Sequence, residues 1–242
     1  MSRKKGIVYT AIFDNHDILL DPWVSSDQLE YICFTDNNNL ESEVWNIHIT
    51  TEENLSPRLK NRKMKILPHS LFEKFEWSVY VDGNIHITGD LGRLAKKYLS
   101  DHKMVALRHP SRNGVYEEAS KCIKLGKGDE KTIRKQMKRY KSEGFPDDRD
   151  LSANYVLFRK HNDCEVVKTM KDWWNELKKG SIRDQLSLNY VAWRNDFEIK
   201  LLNHKLAKDS TYFRIYPHKP KHVPRRLWRW WIEAKHYKSN LF

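Results

Sequence analysis

Glycine is scarce in this sequence, 9 residues in 242, and cysteine is scarcer still at three. Few glycines together with 39% apolar and 12% aromatic residues exclude a low-complexity or disordered chain and leave a packed globular one. Cys33, Cys122 and Cys164 lie far apart without metal-ligand spacing. That excludes a disulfide framework and implies free thiols in a reducing compartment. No apolar run approaches the roughly 20 residues needed to cross a bilayer. The opening stretch MSRKKGIVYTAIF is interrupted at Thr10 and stops at Asp14, too short an apolar centre for a signal peptide, so it reads as a strand. A soluble or peripheral protein is expected. Also missing are G-x-G-x-x-G, the P-loop, G-x-S-x-G and H-E-x-x-H, so dinucleotide oxidoreductases, P-loop NTPases, common serine hydrolases and zincins lose support.

Positive charge is what the chain has in excess. Lys and Arg number 44 against 32 Asp and Glu, a formal net charge of +12 that calls for an anionic partner: nucleic acid, an acidic membrane surface or a phosphorylated substrate. The basic residues are spread over several elements and no nucleic-acid motif occurs. A nucleic-acid-binding module is thus an alternative reading, and no nucleic acid is the expected partner.

Strand-like runs at 6–13, 30–36, 44–49 and 78–81 alternate with helical patterns after Ser56-Pro57, at DLGRLAKKYL, YEEASKCIKLG and 129–142, and at DCEVVKTMKDWWNELKKG. HSLFEKF and IRDQLSLNYVAWRN also read as helical, and MVALRH, SANYVLFRK and FEIKLL as strands. Alternating strands and helices predict an α/β fold with a largely parallel sheet flanked by helices, in a single domain. We expect that domain over residues 1–206, followed at 207–242 by a basic, Trp-rich tail. In the tail, Leu227, Trp228, Trp231 and Ile232 form an apolar stripe beside Arg225, Arg226, Arg229 and Lys235. The stripe suits either an interfacial helix on anionic lipid or a helix docked on the core.

Five constellations could carry chemistry. In SVYVDGNIHI a buried strand breaks at Asp82-Gly83-Asn84, either as ordinary turn chemistry or as a carboxylate delivered to a cation at a strand's carboxyl end. Arg58, Arg62 and Lys65 share one helical face that could grip a diphosphate, or be a solvated basic face. His109 and Arg112 cluster after a strand, suited to phosphate or sugar hydroxyls. Asp184 and Gln185 follow Gly180, where capping competes with a carboxylate that takes a proton from an acceptor hydroxyl. His204 in LLNHK is either structural or a third ligand beside carboxylates.

The ordered series VYTAIFDNHDIL, YICFTDN, Arg62-x-x-Lys65-x-x-Pro68-His69-x-Leu71-Phe72, SVYVDGNI, RHPSRNGVYEEA, SANYVLFR and WWNELKKGSIRDQLSLNYVAW resembles a glycosyltransferase-like domain family long classed as a domain of unknown function. That family occurs in bacterial surface-polysaccharide loci and in plant wall-polysaccharide proteins, and the likeness covers roughly residues 6–206. It implies a GT-A fold, of Rossmann type with a mixed, largely parallel sheet, and transfer of a sugar from a nucleotide diphosphate donor to a hydroxyl of a surface glycan acceptor. It places VDGN where that fold has its Asp-x-Asp motif, so that Asp82 and Asn84 face a metal-bound diphosphate, with Mn²⁺ or Mg²⁺ as the ion and His204 as a further ligand. Thr10, Ala11, Phe13 and Asp14, with Asp36, would line the nucleoside pocket. Arg58, Arg62 and Lys65 would neutralise the phosphates, His109, Arg112 and Gln185 would meet the acceptor, and Asp184 would be catalytic. Asn84 in place of a second carboxylate lowers the negative charge available to an ion, leaving more of the neutralisation to the cationic helix. The expected location is cytoplasmic, peripheral on the inner face of the cytoplasmic membrane. A metal-assisted hydrolase of a lipid or sugar substrate is a further alternative.

Overall fold

Apolar residues run almost unbroken along strand β1, Gly6–Ile12, and both of its faces are covered. Ile7, Tyr9 and Ala11 join one buried cluster while Val8 and Ile12 join another. A strand buried on both sides belongs in the middle of a helix-flanked sheet, and β1 is there. The computed structural model describes residues 5–50, 54–148, 150–208, 211–220 and 222–239.

Seven strands form the sheet in the order β3-β2-β1-β4-β7-β6-β8. Here β2 is Leu29–Thr35, β3 Asn46–Ile49, β4 Trp77–Val81, β6 Met104–Arg108, β7 Ser152–Arg159 and β8 Lys200–Leu202. β1 pairs in parallel with β2 and β4, β2 with β3, and β6 with β8. β7 runs antiparallel to β4 and β6. The expected mixed, largely parallel α/β architecture in one domain is what the chain adopts.

Helices α1 (Pro57–Ile66), α3 (Val115–Lys124), α4 (Glu130–Ser142), α5 (Cys164–Lys179) and α6 (Leu188–Arg194) contribute to the first cluster. α2 (Leu91–Leu99) contributes Leu91, Leu94, Ala95 and Leu99 to the second. Ser56 caps α1 by accepting from the Leu59 N–H, with Pro57 in the first turn, as its sequence signals require. Asp129 and Asp163 cap α4 and α5 in the same way.

Two expected helices are shorter than their patterns suggest. HSLFEKF forms only a 3₁₀ turn at Pro68–Ser70, because Phe72 and Phe75 turn inward as separate anchors in the first core. IRDQLSLNYVAWRN divides into a 3₁₀ turn, Asp184–Leu186, and α6, with Ser187 in a non-helical conformation between them. The broken strand resolves into β4 and β5 (Ile85–Ile87), which leaves the main sheet to pair with β9 (Phe213–Ile215).

The expected division after residue 206 falls inside the short helix α7, Lys205–Lys208, which follows β8, and β9 beyond it returns to the body through β5. Residues 209–210, 221 and 240–242 of that C-terminal segment lie outside the described residues. Helix α8, Arg225–Ser239, buries Ile232, at 2% exposed, and partly buries Trp228 and Trp231, whose rings stack at 4.4 Å. Arg229 donates to the Leu19 carbonyl at 3.2 Å. Leu227 and Trp230 remain 58% and 67% exposed. Among the described residues no helix is long and apolar enough to cross a membrane.

Candidate functional site

Parallel strands β1, β2 and β4 end at the same edge of the sheet, where the carboxyl ends of an open α/β sheet leave a crevice for ligands. Helix α1 is fastened across this edge. Its Asn61 amide donates to the Ala11 carbonyl at 2.6 Å, tying the helix to the end of β1. At the helix C-terminus the Lys65 carbonyl accepts from Tyr9 Oη at 3.2 Å and from Arg159 Nη1 at 2.8 Å. Both donors are fully buried, and Arg159 also bonds Tyr9. Burial carries the Tyr9 phenol up to about 12, against the pull of Arg159, so it stays a neutral donor.

Lys65 is thereby fixed with its ammonium inside the protein, 1% exposed. Its Nζ lies 2.6 Å from Asp184 Oδ2 and 3.3 Å from Asp82 Oδ1. Arg62 Nη2 is 3.3 Å from the other Asp184 oxygen, and Arg62 Nη1 donates to Asn61 at 2.7 Å. Tyr80 Oη donates to Asp82 Oδ1 at 2.8 Å. Burial, and then the neighbouring Asp82 charge, push the Tyr80 phenol well above its ordinary value, so this hydroxyl also keeps its proton. Burial alone would raise the Asp184 carboxyl, but Arg62 and Lys65, with Arg183 beyond them, hold it well below the usual carboxylate range. Burial would likewise lower the Arg62 guanidinium, yet Asp184 and Asp82 leave it raised. Arg58, one turn before Arg62, is exposed and lowered by burial and by the charges of Arg183 and Arg62. Four cations therefore surround two carboxylates, and the excess positive charge is presented at the strand ends.

Among the expected site residues, Arg58, Arg62, Lys65, Asp82 and Asp184 converge here. Asp184 is 4% exposed and permanently charged by its partners, which is the condition of a counter-ion; a general base works with a pKa near the operating pH. Asp36 lies beside the end of β1 and accepts the Asp14 N–H at 3.0 Å, and both side chains are exposed. Thr10 and Phe13 are 1% and 3% exposed, because the central strand and its continuation are covered on both faces, so neither side chain reaches an open rim. Ala11 takes part through its carbonyl.

His109 follows β6, at the same edge of the sheet, but it is engaged locally. Its Nδ1 accepts from the backbone of Ser111 and Arg112, and Arg112 pairs with buried Glu118. Gln185 is partly buried in the 3₁₀ turn after Arg183.

The three expected metal ligands are each held by a different partner. Asp82 faces Lys65 and Tyr80, the Asn84 amide donates to the Tyr216 carbonyl at 2.7 Å, and His204 Nδ1 is 2.7 Å from Tyr155 Oη. Among the described residues the His, Cys, Asp and Glu side chains that come close enough to share an ion are His16, Asp17 and His218. Sequence reasoning did not single these out. The available signal was His16-Asp17 directly after a parallel strand; His218, 201 residues from Asp17, carried none.

The sequence profile of the family described as TOD1/MUCI70, glycosyltransferase-like domain, matches residues 1–215. Among curated proteins the chain is 26% identical over 220 residues to "Probable hexosyltransferase MUCI70" of Arabidopsis thaliana, covering 79% of this chain and 38% of that protein. It is 27% identical over 230 residues to "Alkaline ceramidase TOD1" of the same plant, covering 81% and 50%. The chain thus spans half or less of the length of these two relatives. Among solved structures it is similar to the WbbM bifunctional glycosyltransferase in its apo form, with a TM-score of 0.49 and 12% identity over 84% of this chain and 39% of that one.

Proposed function

The chain belongs to the TOD1/MUCI70 glycosyltransferase-like domain family, and we propose that it moves a sugar from a nucleotide diphosphate donor to a hydroxyl of a surface glycan. The observation that carries this reading is the cationic cluster of Arg58, Arg62, Lys65 and Arg183 around Asp82 and Asp184 at the carboxyl ends of parallel strands. Breaking the bond between the sugar's anomeric carbon and the diphosphate leaves negative charge on the departing oxygen. Fixed donors aimed at that charge lower the barrier without reorganising.

In this reading Arg58 and Arg62 meet the phosphates. Lys65, held at both ends by protein groups, sets the positive potential of the floor. Asp184 keeps Arg62 and Lys65 in place and so acts as a positioning group for them. Asp14 and Asp36, with the backbone around Ala11, border the nucleoside. His109, Arg112 and Gln185 stand toward the acceptor. A bound Mn²⁺ or Mg²⁺ would supply further Lewis-acid neutralisation of the diphosphate. The exposed Leu227 and Trp230, on a helix that also carries Arg226 and Arg229, suit the anionic inner face of the cytoplasmic membrane, where a lipid-linked glycan would be extended.

Isothermal titration with UDP-, GDP- and CDP-sugars, with and without Mn²⁺, tests the donor site. One nucleotide class should bind, and Arg62→Ala should weaken it by about tenfold or more, the loss of one charge-assisted phosphate contact. Absence of binding by every nucleotide, or normal turnover by Asp82→Ala, would sink the assignment.

The relative described as an alkaline ceramidase favours one second reading, hydrolysis of a lipid at the same edge of the sheet. Product analysis separates the two: a transferase yields a new glycoside only when acceptor is present, whereas a hydrolase releases product without one.

A further inference from the structure

We propose that His16, Asp17 and His218 form a binding site for one divalent ion of the Mn²⁺, Co²⁺ or Zn²⁺ class, beside the cationic cluster. The ligand atoms of these three residues all lie within 4.8 Å of one another. His218 Nδ1 is 3.0 Å from Asp17 Oδ1, and the His16 and His218 rings are 4.9 Å apart between centroids. Two imidazoles and one carboxylate select borderline transition ions over Mg²⁺, which prefers oxygen alone.

The site is built by features the core does not require. After β1 the chain turns back through Asp14 and Asn15, both at positive φ (55° and 48°). Asp36 holds the Asp14 N–H and Asn37 donates to Asn15 at 2.8 Å, so the turn that carries His16 and Asp17 is braced from the end of β2. Asp17 is 7% exposed. It can pack there because residue 83 is glycine: a Cβ at that position would stand 3.2 Å from Asp17 Cβ and 2.7 Å from Ile12 Cγ1. From the other side, Asn84 fastens the strand that delivers His218. The Asn84 carbonyl accepts from the Tyr216 N–H at 3.0 Å, and its amide donates back to the Tyr216 carbonyl at 2.7 Å.

The Asp82-Gly83-Asn84 turn thus contributes the space and the fastening, and His16, Asp17 and His218 contribute the donors. Three protein ligands leave coordination positions for oxygens of another group. The Asp82-Gly83 turn lies against Asp17, where a Cβ on residue 83 would stand 3.2 Å from Asp17 Cβ, and Asp82 is itself 3.3 Å from Lys65, which sets the ion beside the cationic cluster. The ion's use in donor binding rests on the transferase reading; its binding does not.

The test is a titration of the chelator-treated full chain with Co²⁺ alone, read by visible absorption, with Zn²⁺ as competitor and no nucleotide present. One Co²⁺ per chain should bind, be displaced by Zn²⁺, and lose about tenfold or more in affinity in His16→Ala and in His218→Ala. Asp82→Ala should change it by less than about threefold. Thermal melting without metal checks each variant, and exposed His16 gives a variant that retains the fold if His218→Ala does not. No Co²⁺ binding, affinity unchanged in His16→Ala, or loss in Asp82→Ala with His16→Ala unaffected would each overturn the site. Co²⁺ binding without any nucleotide binding would keep the site and remove the transferase reading, and the reverse would do the opposite.

Discussion

Lys65 and Asp184, 119 residues apart in sequence, meet inside the protein at 2.6 Å between Nζ and Oδ2. Lys65 comes from the last turn of α1 and Asp184 from the 3₁₀ turn after α5, so the pair joins α1 to the C-terminal half of the sheet's cover. A buried pair of this kind is costly to break and inexpensive to replace with matched apolar groups.

Asp184→Asn should therefore lower unfolding stability by about 3 kcal/mol, the low end for a broken buried pair because Lys65 retains Asp82. The double change Lys65→Met with Asp184→Leu should recover much of that loss in urea midpoints while nucleotide affinity stays low. If Asp184→Asn is as stable as wild type and only turnover falls, the counter-ion role is wrong and Asp184 reacts directly.

Gly83→Ala tests how tightly the turn after β4 is packed. The added methyl would press on Ile12 Cγ1 at 2.7 Å, on a buried β-branched side chain with little room to yield. Overpacking of this sort costs about 1 to 3 kcal/mol. The same variant should weaken Co²⁺ binding, since after Ile12 the next residue in the way is Asp17, whose Cβ stands 3.2 Å from the added methyl. A variant with unchanged melting temperature and unchanged Co²⁺ affinity would show that the turn has slack.

The sheet was legible because β1, β2, β4, β6 and β7 are short β-branched runs bounded by turn residues, and their burial follows directly from that composition. Helix α1 was equally readable from Ser56-Pro57, and once read it put Arg58, Arg62 and Lys65 on one face. What local pattern could not give was partnership across long separations. Asn84 was visible as an oddity in the turn, but its use as a fastener for Tyr216 depends on β9 folding back over β5, two strands of three residues each with too little sequence to signal pairing. His204 was offered as a third ligand beside carboxylates on the likeness to a GT-A fold, whereas it meets Tyr155, and His218, in YPHKP, is the histidine that reaches Asp17. HSLFEKF misled for a related reason: its apolar residues suit a helix face, but their anchoring in the first core competes with helix continuation.

Helix α8 separates two kinds of tryptophan and isoleucine contact. Ile232, at 2% exposed, anchors the helix, so Ile232→Ala should cost about 2 to 4 kcal/mol of cavity and transfer energy. Trp230, at 67% exposed, should be replaceable by Ser without measurable loss of stability, yet the change should reduce sedimentation with anionic vesicles and leave the negligible binding to neutral vesicles as it was. Vesicle binding that survives Trp230→Ser together with Leu227→Ser would remove α8 as the membrane contact.

His161 provides a pH-dependent contribution outside the proposed site. It is 1% exposed at the end of β7, with Nε2 2.8 Å from the Phe72 carbonyl, so the neutral ring donates that bond. Burial first, with the charges of Arg159 and His69 adding to it and the Phe72 bond opposing, lowers its pKa from 6.5 to about 4. The folded state therefore resists protonation that the unfolded state accepts. The stability this preserves is complete above the unfolded value of 6.5 and is lost progressively as pH falls through the window down to about 4. Fully developed, the loss is on the order of 3 kcal/mol. Buried carboxylates such as Asp184, whose folded pKa is lowered, lose their contribution only at lower pH, so the upper window belongs to histidines. His16, His69, His86 and His109 are lowered as well and share that window. Urea midpoints measured from pH 7.5 to 4.5 should fall steeply for the wild type and less steeply for His161→Gln, which keeps a donor for Phe72 but cannot take a proton. Parallel slopes for the two proteins would mean that His161 titrates normally and that the Phe72 contact does not hold it neutral.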